Sequence, residues 1–201
     1  MTKDRYMKQE MTIFPGVKAL IFDCDGTLVD NMHTHFLAWH KAFKEWDCQC
    51  TDQFLSDMAG VPTHETIVAY NRQFDADLPV EEFAAFKDKV ALEFVTDFEP
   101  FSDTVQLVKD YHGRMPLAVV SGGQAKHVHG SLDYIGIKEL FKTIITADTD
   151  VAPKPSPDIF LLAAKELGIP PEQCQVFEDA DPGIQGALAA GMKITDVREY
   201  R

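Results

Sequence analysis

The sequence is short of basic residues. Its 201 residues include 19 Lys and Arg against 32 Asp and Glu, which gives a formal net charge of −13. So acidic a surface repels phosphate backbones and anionic lipids, so we expect neither nucleic acid nor a membrane as a partner. No apolar run approaches the roughly 18 residues of a membrane-spanning helix, and residues 1–11 lack the apolar stretch of a secretory signal. We therefore expect a cytoplasmic protein, either a monomer or a weak dimer, that acts on a small molecule.

Cysteine is also scarce, and its spacing is irregular. The four cysteines, Cys24, Cys48, Cys50 and Cys174, form no CxxC pair, which argues against a disulfide framework or a zinc site. A chain of this length buries about 70% of its unfolded surface and folds without such cross-links. Its length and its ordinary composition, 45% hydrophobic and 25% charged, predict one principal globular core, with room for an inserted module.

Five short apolar runs predict the strands of a sheet. They lie at residues 17–22, 117–120, 144–146, 176–177 and 192–197, and helical patterns separate most of them. Continuous apolar runs of this length are typical of parallel strands that are buried on both faces. The predicted fold class is therefore α/β, with a doubly wound, Rossmann-like parallel sheet.

One segment between the first two runs interrupts this alternation. From about residue 31 to residue 96 the pattern is helix after helix, with apolar residues at helical spacing and no convincing strand. The two clearest apolar stripes consist of Phe36, Trp39, Phe43 and Trp46, and of Phe83, Phe86, Val90 and Phe94. The pattern predicts a helical insertion at 32–96 and an α/β core built from 1–31 and 97–201.

Polar residues follow the predicted strands. Asp23 and Asp25 follow the first strand, Ser121 follows the second, and Glu178 and Asp179 follow the fourth. Carboxyl ends of parallel strands meet at one edge of a sheet, so these side chains are expected to converge there. Clustered carboxylates repel one another unless a cation lies among them, and all-oxygen ligands favour Mg²⁺. Lys154, which precedes a predicted helix, would join this group.

This set of groups suits phosphoryl transfer. One carboxylate can attack phosphorus and form an acyl phosphate, while a second one protonates the departing alcohol and then activates water. Lysine and hydroxyl groups would hold the phosphoryl oxygens. A calcium-binding EF-hand loop is disfavoured, because Gly26 stands at the fourth position rather than the sixth and Thr34 replaces the glutamate of the twelfth.

The run Asp23-Cys24-Asp25-Gly26-Thr27-Leu28 and the order of the elements resemble the haloacid dehalogenase superfamily over residues 17–197. The resemblance implies that Asp23 is the nucleophile and Asp25 the general acid and base. It implies that the inserted helices form a cap over the substrate, with hinges at Asn31 and at Thr96-Asp97. A carboxyl group at Asp25 argues against dehalogenation, because a departing halide needs no proton.

The same resemblance implies the remaining members of the site. The phosphoryl group would be bound by Thr27, Ser121, Gly122 and Lys154. Mg²⁺ would be held by Asp23, the main-chain carbonyl of Asp25 and Asp179, with Glu178 close by.

Further motifs resemble the β-phosphoglucomutase-like subgroup, and within it the sugar phosphatases of the fructose-1-phosphatase type. These motifs are residues 176–181, 183–185, 60–63 and the His35-x-x-x-Trp39 pattern. The candidates for substrate contact from the cap are His35, Trp39, His64 and Lys89. Thr63 stands where the mutase has an arginine that grips a second phosphate, which favours hydrolysis of a small monoester such as fructose 1-phosphate.

Three alternatives to this function remain open. A β-phosphoglucomutase-type reaction would use the same nucleophile and a bisphosphate activator. A non-catalytic member of the fold is disfavoured, because a binding protein has no need of Asp25. A phosphoprotein phosphatase is disfavoured because a cap of this size suits small substrates.

Overall fold

A parallel sheet of five strands lies at the centre of the protein. The structure is a computed structural model and describes residues 10–94 and 98–201. The strands pair in the order β5-β4-β1-β6-β7, and every pairing is parallel. They are β1 (Ala19–Phe22), β4 (Leu117–Val120), β5 (Thr143–Ile145), β6 (Cys174–Glu178) and β7 (Lys193–Asp196). The five predicted strands are therefore confirmed.

Helices cover both faces of this sheet. Side chains alternate along β1, so that Leu20 and Phe22 pack against one set of helices and Ala19 and Ile21 against the other. The first set is α5 (Ser102–Tyr111) and α6 (Ala125–Tyr134), and the second is α7 (Asp158–Leu167) and α8 (Asp181–Ala189). This arrangement confirms the doubly wound α/β fold.

Four of the helices between β1 and β4 share a separate aromatic core. They are α1 (Met32–Glu45), α2 (Asp52–Asp57), α3 (Thr63–Phe74) and α4 (Val80–Ala91), and a 3₁₀ turn, Leu92–Phe94, follows them. Phe43 is central to this core, with its ring centroid 4.9 Å from that of Phe83 and 4.4 Å from that of Tyr70. Trp39 packs beside them, as the apolar stripes predict.

A small antiparallel ladder joins the two ends of this helical segment. Strand β2 (Val29–Asp30) pairs with β3 (Glu99–Pro100), so the chain leaves the α/β core and returns to it at neighbouring points. Strands of two residues carry no sequence period, and the sequence did not predict them. Of the predicted hinges, Asn31 directly follows β2, and Thr96-Asp97 lies outside the described residues. Within residues 10–94 and 98–201, no helix is both long and apolar enough to cross a membrane.

Candidate active site

The predicted polar residues meet at the carboxyl edge of the sheet. Asp23 extends β1 by one residue, because its N–H donates to the carbonyl of Phe177 on β6 at 3.0 Å. Asp23, Asp25, Ser121 and Gly122 line one cavity, whose other wall is formed by the four helices. Parallel pairing brings these residues together from distant parts of the chain.

A tight loop after β1 sets the direction of its side chains. The amides of Leu28 and Val29 both donate to the carbonyl of Cys24, which turns the chain back on itself. Gly26 adopts a φ of +82° and lies so close to Asp179 that a Cβ atom would come within 2.2 Å of its Oδ2. A side chain at this position would clash with the neighbouring carboxylate, so the loop requires glycine.

Lys154 is a fully buried cation held between two carboxylates. Its Nζ donates to Asp23 Oδ1 at 2.6 Å and to Glu178 Oε1 at 2.7 Å. Burial alone would lower the pKa of Lys154, but the two carboxylates outweigh burial and raise it. The ammonium group therefore stays charged and fixes the position of the Asp23 side chain.

Three carboxylates crowd beside this lysine. Oxygen atoms of Asp23, Glu178 and Asp179 all lie within 4.8 Å of one another. Burial and then the neighbouring carboxylate of Glu178 raise the pKa of Asp179 to about 7. Burial is also the main cause of the raised pKa of Asp23, where Lys154 acts in the opposite direction. One ammonium group does not balance three carboxylates, two of them buried and the third partly buried, so the cluster fits a divalent cation with oxygen ligands.

The contacts of Glu178 differ from those of Asp179. Both oxygens of Glu178 are already bound, Oε1 by Lys154 and Oε2 by the Ala180 amide at 2.7 Å. Asp179 accepts one hydrogen bond, from the hydroxyl of Thr27 at 2.8 Å. Glu178 is therefore placed to position Lys154, while Asp179 keeps an oxygen for a metal. Thr27, a predicted phosphate-binding residue, contacts Asp179 and is not part of the cavity lining.

Asp25 has a different environment. Its Oδ1 accepts a hydrogen bond from the side-chain amide of Asn31 at 2.5 Å and lies 3.5 Å from His35 Nε2. Burial would raise the pKa of Asp25, but the charge of His35 and hydrogen bonds from His35 and Asn31 lower it to about 2. Without a substrate this carboxylate is therefore charged at neutral pH.

The loop after β4 touches a loop that joins α2 to α3. A Cβ atom on Gly122 would lie 2.0 Å from the carbonyl oxygen of Gly60. The neighbouring Ser121 is buried, and its Oγ accepts a hydrogen bond from the Gly123 amide at 3.0 Å. The absence of a side chain at Gly122 thus allows the two loops to meet beside the cavity.

The structure divides the candidates for substrate contact. His35 and Trp39, two of the candidates, line the cavity. His64 is half-exposed, pairs with Glu81 at 3.1 Å and lines a neighbouring cavity that shares Ser121 and Gly122. Lys89 is exposed on α4 and does not line the cavity, so the prediction of Lys89 is corrected.

Lys87 lies where Lys89 was expected. It is buried and lines the cavity, and its charge acts on Asp25. The sequence carries a signal for this position, since Lys87 shares the spacing i, i+4, i+7 with Phe83 and Val90 on the buried face of α4. Lys89, two residues further on, points away from that face.

Comparison with known proteins decides the family. A model of haloacid dehalogenase-like hydrolases matches residues 17–191. The chain belongs to this family. Fructose-1-phosphate phosphatase YqaB of Escherichia coli is 38% identical over 179 residues, which are 89% of this chain and 95% of that protein. The phosphorylated carbohydrates phosphatase of Thermotoga maritima is 25% identical over 88% of this chain and 83% of its own length.

A solved structure shows the same fold. β-Phosphoglucomutase from Clostridium difficile superposes with a TM-score of 0.78 at 23% identity, covering 91% of this chain and 86% of that one. At this identity the likeness shows the fold alone. The family match and the phosphatase relatives make the chain a hydrolase of the phosphatase type.

Proposed function

We propose that the chain hydrolyses a small phosphate monoester in a magnesium-dependent reaction, with Asp23 as the nucleophile. The observation that carries this proposal is the placement of two carboxylates, Asp23 and Asp25, on one cavity, with Lys154 fixing the first at 2.6 Å. A carboxylate held in this way is poised to attack phosphorus rather than to rotate.

Hydrolysis proceeds in two steps. In the first, an oxygen of Asp23 forms a bond to phosphorus, the bond between phosphorus and the alkyl oxygen breaks, and the alcohol leaves with a proton from Asp25. In the second, Asp25 takes a proton from water, and the hydroxide attacks phosphorus and releases phosphate from Asp23. Ser121 and the backbone at Gly122 line the same cavity and would bind the phosphoryl oxygens.

Asp25 must hold a proton in the first step although its pKa in this structure is about 2. An anionic phosphoryl group next to Asp25 raises the pKa of the carboxyl group, since like charges disfavour the ionised form. In the second step Asp25, which has given its proton to the alcohol, is ionised and can receive the proton of water.

The metal would be held by Asp23, Asp179 and the main-chain carbonyl of Asp25, with Glu178 holding Lys154. The unbalanced charge of the Asp23, Glu178 and Asp179 carboxylates supports this placement. When bound, Mg²⁺ would offset the negative charge that accumulates on the phosphoryl oxygens. The chain's own residues then set the geometry of attack.

We assign the helices within residues 32–96 to a cap and the rest, 1–31 and 97–201, to the catalytic core. The separate aromatic core of α1–α4 and the adjacent crossings at β2 and β3 support this division. With small esters as substrates, cap closure would exclude bulk water, and its opening would release the alcohol. A hinge at Asn31 would couple closure to Asp25, which Asn31 contacts.

A phosphosugar, such as fructose 1-phosphate, is the proposed substrate class. The named activities of the relatives from Escherichia coli and Thermotoga maritima support this choice. Hydrolysis is favoured over the mutase reaction because Thr63, which lines the cavity, offers no guanidinium for a second phosphate.

The experiment is phosphate release from a panel of esters, with Mg²⁺ and with a chelator. The panel holds fructose 1-phosphate, β-glucose 1-phosphate, phosphoglycolate and pyridoxal phosphate, and Asp23→Asn is the control. Release that requires both Mg²⁺ and Asp23 is expected. Conversion of β-glucose 1-phosphate to glucose 6-phosphate without phosphate release would instead establish the mutase.

A further inference from the structure

Lys87 is a buried cation whose polar partners, among the described residues, lie 3.5 Å or more from its Nζ. Its Nζ donates a hydrogen bond to Thr63 Oγ1 at 3.5 Å. Asp88 Oδ1 is further away, at 3.8 Å, and is itself a buried atom without a hydrogen bond among the described residues. An ammonium group has three donors, and leaving them unsatisfied in a buried site is costly. Lys87 therefore has donors available to a ligand in the cavity that it lines.

The position of Lys87 defines which part of a ligand it meets. Its charge acts on Asp25, the residue that would protonate the departing oxygen, whereas Lys154 binds Asp23, the nucleophile. A substrate with phosphorus at Asp23 and its bridging oxygen at Asp25 would therefore present its alcohol to Lys87. The nearest atom of that alcohol able to accept a hydrogen bond is an oxygen on the carbon next to the ester carbon.

The charges around Lys87 favour a neutral oxygen over an anionic one. Asp88 lies 3.8 Å from this ammonium group and offsets its charge. A carboxylate or second phosphate of the substrate would therefore find little net positive charge there, whereas a hydroxyl or keto oxygen needs only a hydrogen-bond donor. The Trp39 ring, 5.2 Å from Nζ, and the side chains of Phe36 and Met58 offer apolar contact to a carbon skeleton.

We propose that Lys87 is the specificity-determining residue of the cap, and that it donates to a neutral oxygen on the carbon next to the ester carbon of the substrate. This inference rests on the proposed phosphatase function and narrows its substrates to phosphate esters of polyols and sugars. It places phosphoglycolate and bisphosphates among the poor substrates.

The test uses two esters of equal length that differ in one oxygen, 1,2-propanediol 1-phosphate and n-propyl phosphate. Hydrogen bonds to charged groups contribute about 1.5–3 kcal/mol, so Lys87→Met should lower kcat/KM for the diol ester by about 10- to 150-fold. For n-propyl phosphate the loss should stay within about threefold by the same reasoning. If Lys87→Met acted only through Asp25, it would lower kcat/KM equally for both esters. The ratio of the two kcat/KM values therefore reports the effect of Lys87 on specificity alone.

Lys89→Met is the matched control, since it makes the same change on the exposed face of α4 and should leave the ratio unaltered. Lys87→Gln, which keeps a donor without the charge, should retain part of the preference and covers the case in which Lys87→Met folds poorly. An equal loss on both esters, or a wild type that prefers phosphoglycolate to the diol ester, would overturn the inference.

Failure of the proposed function has a different signature. In that case the wild type releases no phosphate from either ester. The role of Lys87 is then decided by measuring, with ligand-observed NMR, how tightly each of the two esters binds to the Asp23→Asn protein. If the diol ester binds more tightly than n-propyl phosphate, and if adding Lys87→Met abolishes this difference, the inference is supported. Equal binding of both esters would refute it.

Discussion

Replacing Lys154 by methionine should lower the free energy of unfolding of the protein, mainly when Mg²⁺ is absent. Methionine keeps the bulk of the side chain but leaves Asp23 and Glu178 without the partner that lies 2.6 and 2.7 Å away. Removing one partner of a buried ion pair costs about 3–5 kcal/mol, because the remaining charge is buried and uncompensated. Here the remaining charges also repel Asp179, which places the expected loss toward the upper end.

Urea unfolding in chelator, followed by circular dichroism, measures this loss. For a slope of about 2 kcal/mol/M the midpoint should fall by about 1.5–2.5 M. Saturating Mg²⁺ should recover part of the lost stability, because the cation compensates the same carboxylates. Adding Glu178→Gln to the Lys154→Met protein should also recover part of the lost stability, without metal. Lys165→Met on the exposed face of α7 should stay within about 0.5 kcal/mol of wild type. A loss below about 1 kcal/mol in chelator would refute the charge balance described for this site.

Three further predictions concern neighbouring residues. Asp25→Asn should lower kcat for a sugar phosphate by about 100- to 10,000-fold and for p-nitrophenyl phosphate far less, since an aryl leaving group needs no proton. In chelator, stability should fall as pH rises from about 4 to 7, because native Asp179 (pKa about 7) keeps a proton that the unfolded chain has released. Mg²⁺ should remove this slope by displacing the proton, as thermal unfolding at several pH values would show. Gly122→Ala should cost about 1–3 kcal/mol in urea unfolding, because its Cβ would lie 2.0 Å from the Gly60 carbonyl oxygen.

Each of these has a contrary outcome. Equal losses of Asp25→Asn on both esters would argue against proton donation to the alcohol. A metal-free protein that becomes more stable between pH 4 and 7 would contradict the raised pKa of Asp179. For Gly122→Ala the control is Gly130→Ala in α6, where a Cβ meets no atom within 4 Å and should stabilise the helix by about 0.5–1 kcal/mol. A Gly122→Ala protein as stable as wild type would show that the two loops separate freely.

The sequence predicted the sheet and its polar edge because both depend on local pattern. The apolar runs end at polar residues, and parallel pairing of the strands brings those residues to one edge of the sheet. The sequence did not predict the pairing of β2 with β3, because this pairing depends on where the chain returns after the helices. The confusion of Lys89 with Lys87 has a similar cause, since the choice between them depends on the helical register relative to Phe83 and Val90.

The electrostatics were beyond the sequence for another reason. Asp23 and Asp25 stand two residues apart in one motif, yet burial raises the pKa of the first and contacts with His35 and Asn31 lower that of the second. Such differences depend on burial and on partners within a few ångströms, which the motif does not encode. The structure thereby separates the two carboxylates: Lys154 holds Asp23, whereas His35 of α1 contacts Asp25.

The two buried lysines differ in how completely they are satisfied, and this difference predicts what each one does. Lys154 makes two short charged hydrogen bonds, whereas Lys87 makes one at 3.5 Å, and burial lowers the pKa of Lys87. A buried cation with poor partners destabilises the fold, so Lys87→Met should leave the midpoint of urea unfolding unchanged or raise it. The same substitution at Lys154 should lower the midpoint strongly. A large loss of stability in Lys87→Met would show that Lys87 stabilises the packing of helices α1–α4. Its weak contacts would then be no evidence that it binds substrate.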